Sequence, residues 1–341
     1  MKNVSILTLA LVFAVGCGGS KTAETEAAAP EPVAEPTPPP PPEPTEEEKK
    51  AAEEKKKLEE DRAKMQADHE ADVARWTPEF HAEAKAIAEK DYANGKAAIK
   101  AALGGKYRAP GNPDRDKARH PVETLDFFGF KPTYTVLEYG PGGFWYTELL
   151  APAVAKKGKL IITGSDPGGP ADQRSTLNGE RTKLALETAP ELYGKVETTY
   201  IDSKSPDLKV PDGSVDLIVC TRELHGMVNG GTIDAWLKEF HDVLKAKGTL
   251  GIEQHRAKAD AVPEESAKKG YLPEKWVIEK VEAAGFKLAG KSEINANKKD
   301  TKDYEKGVWT LPPNFAAGDT DKEKYAAIGE SDRMTLKFTK K

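Results

Sequence analysis

Hydrophobic residues in the later two thirds of the chain fall into short runs separated by turn-forming residues. Runs rich in apolar and β-branched residues predict strands, and they cover residues 134–139, 159–163, 196–201, 215–221, 249–253, 286–289 and 334–338. The run at 215–221 is almost continuously apolar, which is typical of a strand buried on both faces.

Helical patterns alternate with these strands. Residues 120–129 carry a proline near the start and a glycine at the end, and residues 145–155 follow the first strand. Apolar residues recur at helical spacing over 233–244, and a further helix ends at Gly285. This alternation predicts an α/β fold, with a doubly wound, mostly parallel sheet and helices on both faces.

The first third of the chain has no such pattern. Nine of the 25 prolines lie within residues 30–44, and 14 of the 17 residues from 46 to 62 are charged, so neither stretch can build a core. We predict an extended linker over 17–45 and a charged helical extension over 46–105. Its first part is expected to be a solvated single helix, with a weak coiled coil as the alternative, and residues 106–341 remain for one globular domain.

The first residues have the features of an export signal. An apolar run at residues 4–15 follows a weakly cationic start and is too short to span a bilayer comfortably. Ala14-Val15-Gly16-Cys17 resembles a bacterial lipobox, although Ala14 stands where leucine is usual. The resemblance implies a signal peptide at 1–16, lipidation of Cys17 and a lipid-anchored protein in the bacterial cell envelope. Gly18 after the cysteine favours the outer membrane over the inner. An ordinary signal peptide with an incidental cysteine is the alternative.

Composition and charge exclude several classes of function. The 341 residues carry a net charge of −5 and no long basic run, which argues against binding to the phosphate backbone of nucleic acid. The two cysteines, Cys17 and Cys220, are too few for a disulfide scaffold or a cysteine-rich zinc site. Cys220 lies inside the apolar fourth strand, where we predict a buried, inert thiol.

A glycine-rich turn, Gly140-Pro141-Gly142-Gly143, directly follows the first strand. In a doubly wound sheet the ligand lies beyond the carboxyl ends of the strands, where glycines allow the backbone to approach a cofactor. A glycine turn alone also occurs as a plain strand-to-helix connection, so its specificity depends on the surrounding sequence.

That surrounding sequence resembles a known class of enzyme. Residues 136–143, V-L-E-Y-G-P-G-G, resemble motif I of class I S-adenosylmethionine-dependent methyltransferases, with Glu138 at the strand end. Residues 110–341 resemble a bacterial family of predicted methyltransferases of this class, in segments at 119–125, 141–147, 292–303, 307–312 and 330–334. The resemblance implies a Rossmann-like sheet of seven strands with an antiparallel last strand, and S-adenosylmethionine as the cofactor.

The resemblance also assigns cofactor-binding positions. Gly140, Gly142 and Gly143 would flank the methionine part of the cofactor, together with Glu138 at the strand end. Asp202, after the third strand, would lie by the adenine, although a solvated acid at a strand end is an equally good interpretation.

Two positions depart from the family pattern. Phe144 occupies the third glycine position of motif I, where its side chain is able to narrow the cleft. The acid that closes the second strand and binds the ribose aligns with Gly164, which leaves Asp166 two residues late. Asp166 is therefore the candidate ribose ligand, and without its charge-assisted hydrogen bonds the nucleoside would be held less firmly.

Candidate catalytic residues follow the fourth and fifth strands. Arg222, Glu223 and His225 come after the fourth strand, and Glu253, His255 and Arg256 after the fifth, so both groups are expected at the crevice. A histidine there is able to take a proton near neutral pH, which makes His225, and then His255, the candidate catalytic residues. Structural histidines bonded to the backbone are the alternative.

No spacing of histidines and cysteines typical of zinc sites occurs, so we predict no metal. The polar segment 292–303 is either a surface loop or, by the resemblance, a lid on the substrate side. The sequence thus predicts an exported, membrane-anchored methyltransferase acting on a small molecule or an envelope component. Because S-adenosylmethionine is made in the cytoplasm, the alternative is an inactive methyltransferase fold that serves as an envelope binding or scaffold module.

Overall fold

The structure, a computed structural model, describes residues 44–341. The chain divides into two units, residues 1–48 and residues 49–341. Of the first unit the structure describes only the end, where the Thr45 hydroxyl accepts from the Glu48 N–H at 3.2 Å and the Glu48 carboxylate accepts from the Thr45 N–H at 2.7 Å. This reciprocal pair is a capping box that starts a helix. The signal peptide predicted at 1–16, the lipidation site Cys17 and nearly all of the linker at 17–45 lie outside the described residues.

The second unit is built on one sheet. Its strands are β1 (Thr135–Tyr139), β2 (Lys159–Gly164), β3 (Glu197–Tyr200), β4 (Val215–Thr221), β5 (Leu244–His255), β6 (Phe286–Ser292) and β7 (Arg333–Lys340). They lie in the order β3-β2-β1-β4-β5-β7-β6. The first five run parallel, and β7 is antiparallel to both of its neighbours. This confirms the predicted doubly wound, mostly parallel sheet of seven strands with an antiparallel last strand.

Within residues 44–341, the first five helices precede the first strand, and the other helices connect the strands. The helices are α1 (Glu46–Arg75), α2 (Pro78–Ala88), α3 (Gly95–Leu103), α4 (Asp116–Arg119), α5 (Pro121–Phe128), α6 (Thr147–Val154), α7 (Arg174–Thr188), α8 (Pro190–Tyr193), α9 (Leu224–Asn229), α10 (Ile233–Val243), α11 (Pro263–Ala267), α12 (Glu274–Ala283) and α13 (Lys322–Ile328), with short 3₁₀ turns at Pro113–Arg115 and Gly307–Thr310. None of the helices in this part of the chain is long and apolar enough to cross a membrane.

Both faces of the sheet are buried. On one face the core contains Trp236 and Phe240 of α10, and on the other it contains Phe128 of α5 and Leu149 of α6. Successive side chains of a strand point to opposite faces, so a strand covered on both sides must be apolar throughout. This is why β4 is apolar at all positions but Asp216 and Thr221. Its Cys220 is a free, buried thiol, and burial holds the pKa of this thiol well above its ordinary value.

The charged extension is helical and packs on the domain. Leu58 and Met65 of α1, two helical turns apart, are buried against Leu177 of α7. Arg62, between them, forms an ion pair with Glu180 of the same helix α7. The predicted single helix is therefore observed, with most of its surface exposed and one narrow apolar stripe held by the domain.

Candidate functional site

A cleft of about 1200 Å³ opens at the carboxyl ends of the parallel strands, between the turns that follow β1 to β4 and the helices α1 and α7. Five of the predicted cofactor-binding residues line it, and they are Gly140, Gly142, Gly143, Asp166 and Asp202. Positions from three different strand ends thus meet in one cavity, as expected where parallel strands end at a common edge of a sheet.

The glycine turn presents bare backbone to this cleft. Gly140 and Gly142 adopt left-handed conformations, with φ of +70° and +52°. A Cβ atom built on Gly142 or Gly143 would meet no atom within 4 Å, so this part of the turn faces open space. The Gly140 N–H donates to the Thr163 hydroxyl at 2.9 Å, which fixes the turn to β2. A ligand can therefore approach the backbone of the turn closely.

Phe144 takes the left-handed conformation that a glycine would have adopted without strain. Its φ is +65°, and its ring packs edge-on against Tyr193, with the ring centroids 6.0 Å apart. Such a conformation costs a non-glycine residue about 1–2 kcal/mol. Phe144 forms part of the wall of the cleft, which keeps its volume of about 1200 Å³ with this side chain in place.

Two exposed carboxylates line the far part of the cleft. Asp166 accepts a hydrogen bond from the Gly168 N–H at 2.8 Å, and Asp202 accepts one from the Lys204 N–H at 2.9 Å. Both are therefore held in local turns at the cleft wall. A Cβ atom on Gly164 would lie 3.0 Å from the Thr198 side chain, so an acid at the usual position would crowd β3.

Glu138 lies beneath the turn and is absent from the lining of the cleft. Its side chain is 2% exposed, and the Thr147 hydroxyl donates to its carboxylate at 2.8 Å. Burial raises the pKa of this carboxyl to about 7. In this position Glu138 joins the end of β1 to the start of α6, and so supports the turn between them.

We expect the Glu138→Gln variant to be more stable than the wild-type chain at pH 8 and equally stable at pH 4. As pH rises from the ordinary pKa of glutamate to about 7, the unfolded chain loses this proton while the folded chain keeps it, so folding is progressively disfavoured. Glutamine remains neutral and retains an oxygen for Thr147, which gives a gain of about 1–2 kcal/mol. Urea unfolding at the two pH values measures the difference, and an equal effect at both would show that Glu138 is ionised in the fold.

The two candidate histidines lie together outside the cleft, with their ring centroids 6.0 Å apart. His225 Nδ1 lies 3.4 Å from Gln254 Nε2, and its ring packs edge-on against Trp309. His255 Nδ1 lies 2.6 Å from the Ser331 hydroxyl. Burial lowers the pKa of both histidines, that of His255 well below its ordinary value, which favours the neutral rings. Their assignment as proton acceptors stays a prediction.

A buried charged cluster lies beside these histidines. Glu253 is fully buried, and the guanidinium groups of Arg222 and Arg333 each donate to its Oε1 at 3.0 Å. The Tyr146 hydroxyl donates to its Oε2 at 3.2 Å. Arg222 has a φ of +64°, another left-handed conformation of a non-glycine residue. The cluster ties the ends of β4 and β5 to the starts of β7 and α6, and so fixes the edge of the sheet that bears the cleft.

One part of the cleft was not selected from the sequence. The end of the charged extension contributes Asp72, Arg75 and Trp76 to its wall, and Arg75 donates to the Tyr107 carbonyl at 2.7 Å. Glu223, which the sequence placed at the crevice but did not select as the base, lines the cleft, and a Cβ atom on Gly140 would lie 2.5 Å from its carboxyl carbon. Burial raises the pKa of Glu223 to about 7, although the positive charge of Arg222 offsets part of the rise.

The donor set fits an organic cofactor. A bare glycine turn and two carboxylates spread along one cleft suit a ligand with an amino-acid end and a nucleoside end, whose hydroxyl and amino groups carboxylates bind well. Within residues 44–341 no group of three or more histidine, cysteine, aspartate or glutamate side chains is placed to hold a metal ion.

Comparison with known proteins agrees with this assignment. Residues 137–252, which extend from β1 to β5, match the family described as a methyltransferase domain. The match covers about a third of the chain, and this part has the fold of a class I S-adenosylmethionine-dependent methyltransferase, whose cofactor is S-adenosylmethionine. No curated protein matches the chain.

The solved structures that are similar to this chain are distant in sequence. A SAM-dependent methyltransferase from Aquifex aeolicus is 20% identical, with 72% of this chain and 97% of that chain covered and a TM-score of 0.44. A TehB-like SAM-dependent methyltransferase from Corynebacterium glutamicum is 15% identical, with 66% and 87% covered and a TM-score of 0.36. A SAM-dependent methyltransferase from Methanosarcina mazei is 12% identical, with 63% and 96% covered and a TM-score of 0.41.

Proposed function

We propose that this chain is an exported methyltransferase, anchored in the bacterial envelope by a lipid on Cys17, that methylates a small molecule or an envelope component. The enzymatic part of this proposal is supported by one observation, that the glycine turn, Asp166 and Asp202 line the same cleft. The export and anchoring rest on the apolar run at 4–15 and the cysteine that follows it. No nucleic acid is expected as a partner, because the net charge is −5.

Different residues of the cleft would hold different parts of the cofactor. The glycine turn would hold the methionine part, Asp166 the ribose hydroxyls and Asp202 the adenine. When bound, S-adenosylmethionine supplies a methyl group to a nucleophile's lone pair, while the S–C bond breaks and leaves its electron pair on sulfur. The protein therefore contributes mainly by aligning the acceptor and, where the acceptor carries a proton, by removing it.

The lipid anchor and the proline-rich linker would set the position of the domain. Proline-rich segments favour extended polyproline II, which rises about 3.1 Å per residue and acts as a semi-rigid spacer. The run of prolines at 38–42 would thus hold the domain away from the bilayer surface. An acceptor at the membrane surface or dissolved near it would then be within reach.

The Cys17→Ser variant is expected to leave the membrane fraction and appear as a soluble or unprocessed protein, because the thiol that would carry the lipid is missing. Fractionation of cells and mass spectrometry of the mature N-terminus measure this. The Cys220→Ser variant, which changes the other cysteine, is the control and is expected to stay with the membrane. Equal membrane retention of both variants would contradict the anchor.

The inactive binding module is the second candidate function. The observations that favour it are the aromatic side chain of Phe144 in the third glycine position and the displacement of the ribose acid from residue 164 to residue 166. Incubation of the full chain with methyl-labelled S-adenosylmethionine and bacterial envelope fractions separates the two candidates. Transfer of label supports the enzyme, and cofactor binding without transfer to any fraction supports the module.

A further inference from the structure

Glu223 occupies the point of the cleft where the end of β4 meets the glycine turn. It follows Arg222 directly and lines the cleft. Its carboxyl group packs so closely on Gly140 that a Cβ atom there would lie 2.5 Å from Cδ and 2.9 Å from Oε1. Because the turn faces the cleft, this contact places the carboxyl group at the wall against which a ligand would lie.

The Glu223 carboxylate is unusual for its position because the described part of the chain offers it no hydrogen-bonding partner. No donor within residues 44–341 forms a hydrogen bond to its oxygens, although the neighbouring carboxylate of Glu253 receives three such bonds. Arg222, the cation beside it in the chain, is engaged by Glu253 at 3.0 Å. A half-buried carboxylate at the wall of a cleft, with solvent in place of a protein donor, is free to bind a cationic ligand that enters the cleft.

The missing charge is positive. Among the common methyl acceptors, alcohols, thiols and carboxylic acids reach a site neutral or negative, whereas an amine reaches it near neutral pH as an ammonium ion. A carboxylate binds an ammonium through charge-assisted hydrogen bonds. It also serves as the base that the amine requires, since an ammonium nitrogen has no free lone pair.

We propose that the methyl acceptor is an amine, and that the carboxylate of Glu223 binds it as an ammonium ion and takes its proton. This inference rests on the proposed function. The N–H bond breaks, the proton passes to an oxygen of Glu223, and the nitrogen keeps the electron pair that it uses for the methyl group. The methylated product is again an ammonium, and Glu223 then releases its proton to solvent. A pKa of about 7 for Glu223 suits this exchange near neutral pH.

Calorimetric titration of the full chain with amine and alcohol probes tests the inference without turnover. The chain is first saturated with S-adenosylhomocysteine, the demethylated product, and then titrated with benzylamine or with benzyl alcohol, which has the same shape without the charge. At pH 8 we expect the wild-type chain to bind benzylamine at least tenfold more tightly. At pH 5 the preference should vanish, because Glu223 is then protonated. We expect Glu223→Gln to lack the preference at both pH values, and Glu264→Gln, an exposed glutamate of α11, to retain it.

The first titration separates failure of this inference from failure of the proposed function. A wild-type chain that does not bind S-adenosylhomocysteine overturns the proposed function and the inference with it. Binding of S-adenosylhomocysteine with no preference for benzylamine overturns the inference alone. If the Glu223→Gln variant binds S-adenosylhomocysteine at least tenfold more weakly than the wild-type chain, the carboxylate binds the ammonium group of the cofactor. That result overturns the inference in favour of a role in cofactor binding.

Discussion

The Gly142→Arg variant is expected to bind S-adenosylmethionine at least a hundredfold more weakly than the wild-type chain, with its fold retained. A Cβ atom at this position meets nothing within 4 Å, so the arginine side chain would extend into the cleft and occupy the space of the ligand. The backbone has a φ of +52°, which adds only about 1–2 kcal/mol of strain for a non-glycine residue. Calorimetric titration measures the affinity, and circular dichroism checks the fold.

Gly213→Arg is a matched control for this change. Gly213 also has a positive φ, +60°, and a Cβ atom there also meets nothing within 4 Å. It precedes β4 at the opposite edge of the sheet and is absent from the cleft wall. Its variant is expected to carry similar backbone strain and to bind the cofactor as the wild-type chain does. If both variants bind S-adenosylmethionine equally well, the glycine turn is not the cofactor site.

The Glu253→Ala variant is expected to lose about 3–5 kcal/mol of unfolding free energy, the range found when one partner of a buried ion pair is removed. Glu253 is fully buried, and its loss leaves Arg222 and the Tyr146 hydroxyl without their side-chain acceptor, while Arg333 keeps the Glu330 carboxylate and the Ala118 carbonyl. Since these residues come from four separate elements, the edge that bears the cleft should loosen as well. Urea unfolding measures the free energy.

An exposed ion pair provides the control for the effect of Glu253→Ala on the unfolding free energy. Glu265 and Lys268 form an ion pair at 2.9 Å on the surface of the domain, and both side chains are more than 60% exposed. Glu265→Ala is expected to change the unfolding free energy by less than about 1 kcal/mol, because solvent screens such pairs. A loss of the same small size for Glu253→Ala would show that the buried cluster contributes no stability.

The strands and the cleft followed from local patterns that the sequence displays. β4 lies where its almost continuous apolar run predicts it, at Val215–Thr221, and the glycine turn directly follows β1 as predicted. Helix α7, at Arg174–Thr188, had no such signal. Most of its residues are polar or small, and it is held by tertiary contacts such as the packing of Leu177 against α1. Tertiary packing of this kind overrides a weak local pattern.

The charged extension shows how little apolar surface is needed to dock a helix. With 14 of 17 residues charged from 46 to 62, the sequence predicts a solvated helix. Only Leu58 and Met65 mark the stripe that packs on the domain, and two residues at this spacing are too few to distinguish from chance. The end of α1 contributes to the cleft because of where this helix packs on the domain. No local sequence pattern encodes that position.

The remaining features of the site depend on contacts distant in sequence. Glu253 meets Arg333 across 80 residues and Tyr146 across 107 residues, and neither pairing has a spacing that a sequence could reveal. Histidine is the natural choice of base from sequence because its ordinary pKa is near neutral. Burial moves the pKa of Glu223 into the same range, and burial is a property of the fold.

Titration of the full wild-type chain with S-adenosylmethionine and with S-adenosylhomocysteine measures whether the cleft at the carboxyl edge of the sheet is a working cofactor site. We expect one site for each ligand with micromolar affinity, about −8 kcal/mol. No heat of binding with either ligand at millimolar concentration would contradict it, and would leave the domain a methyltransferase fold without a methyltransferase function.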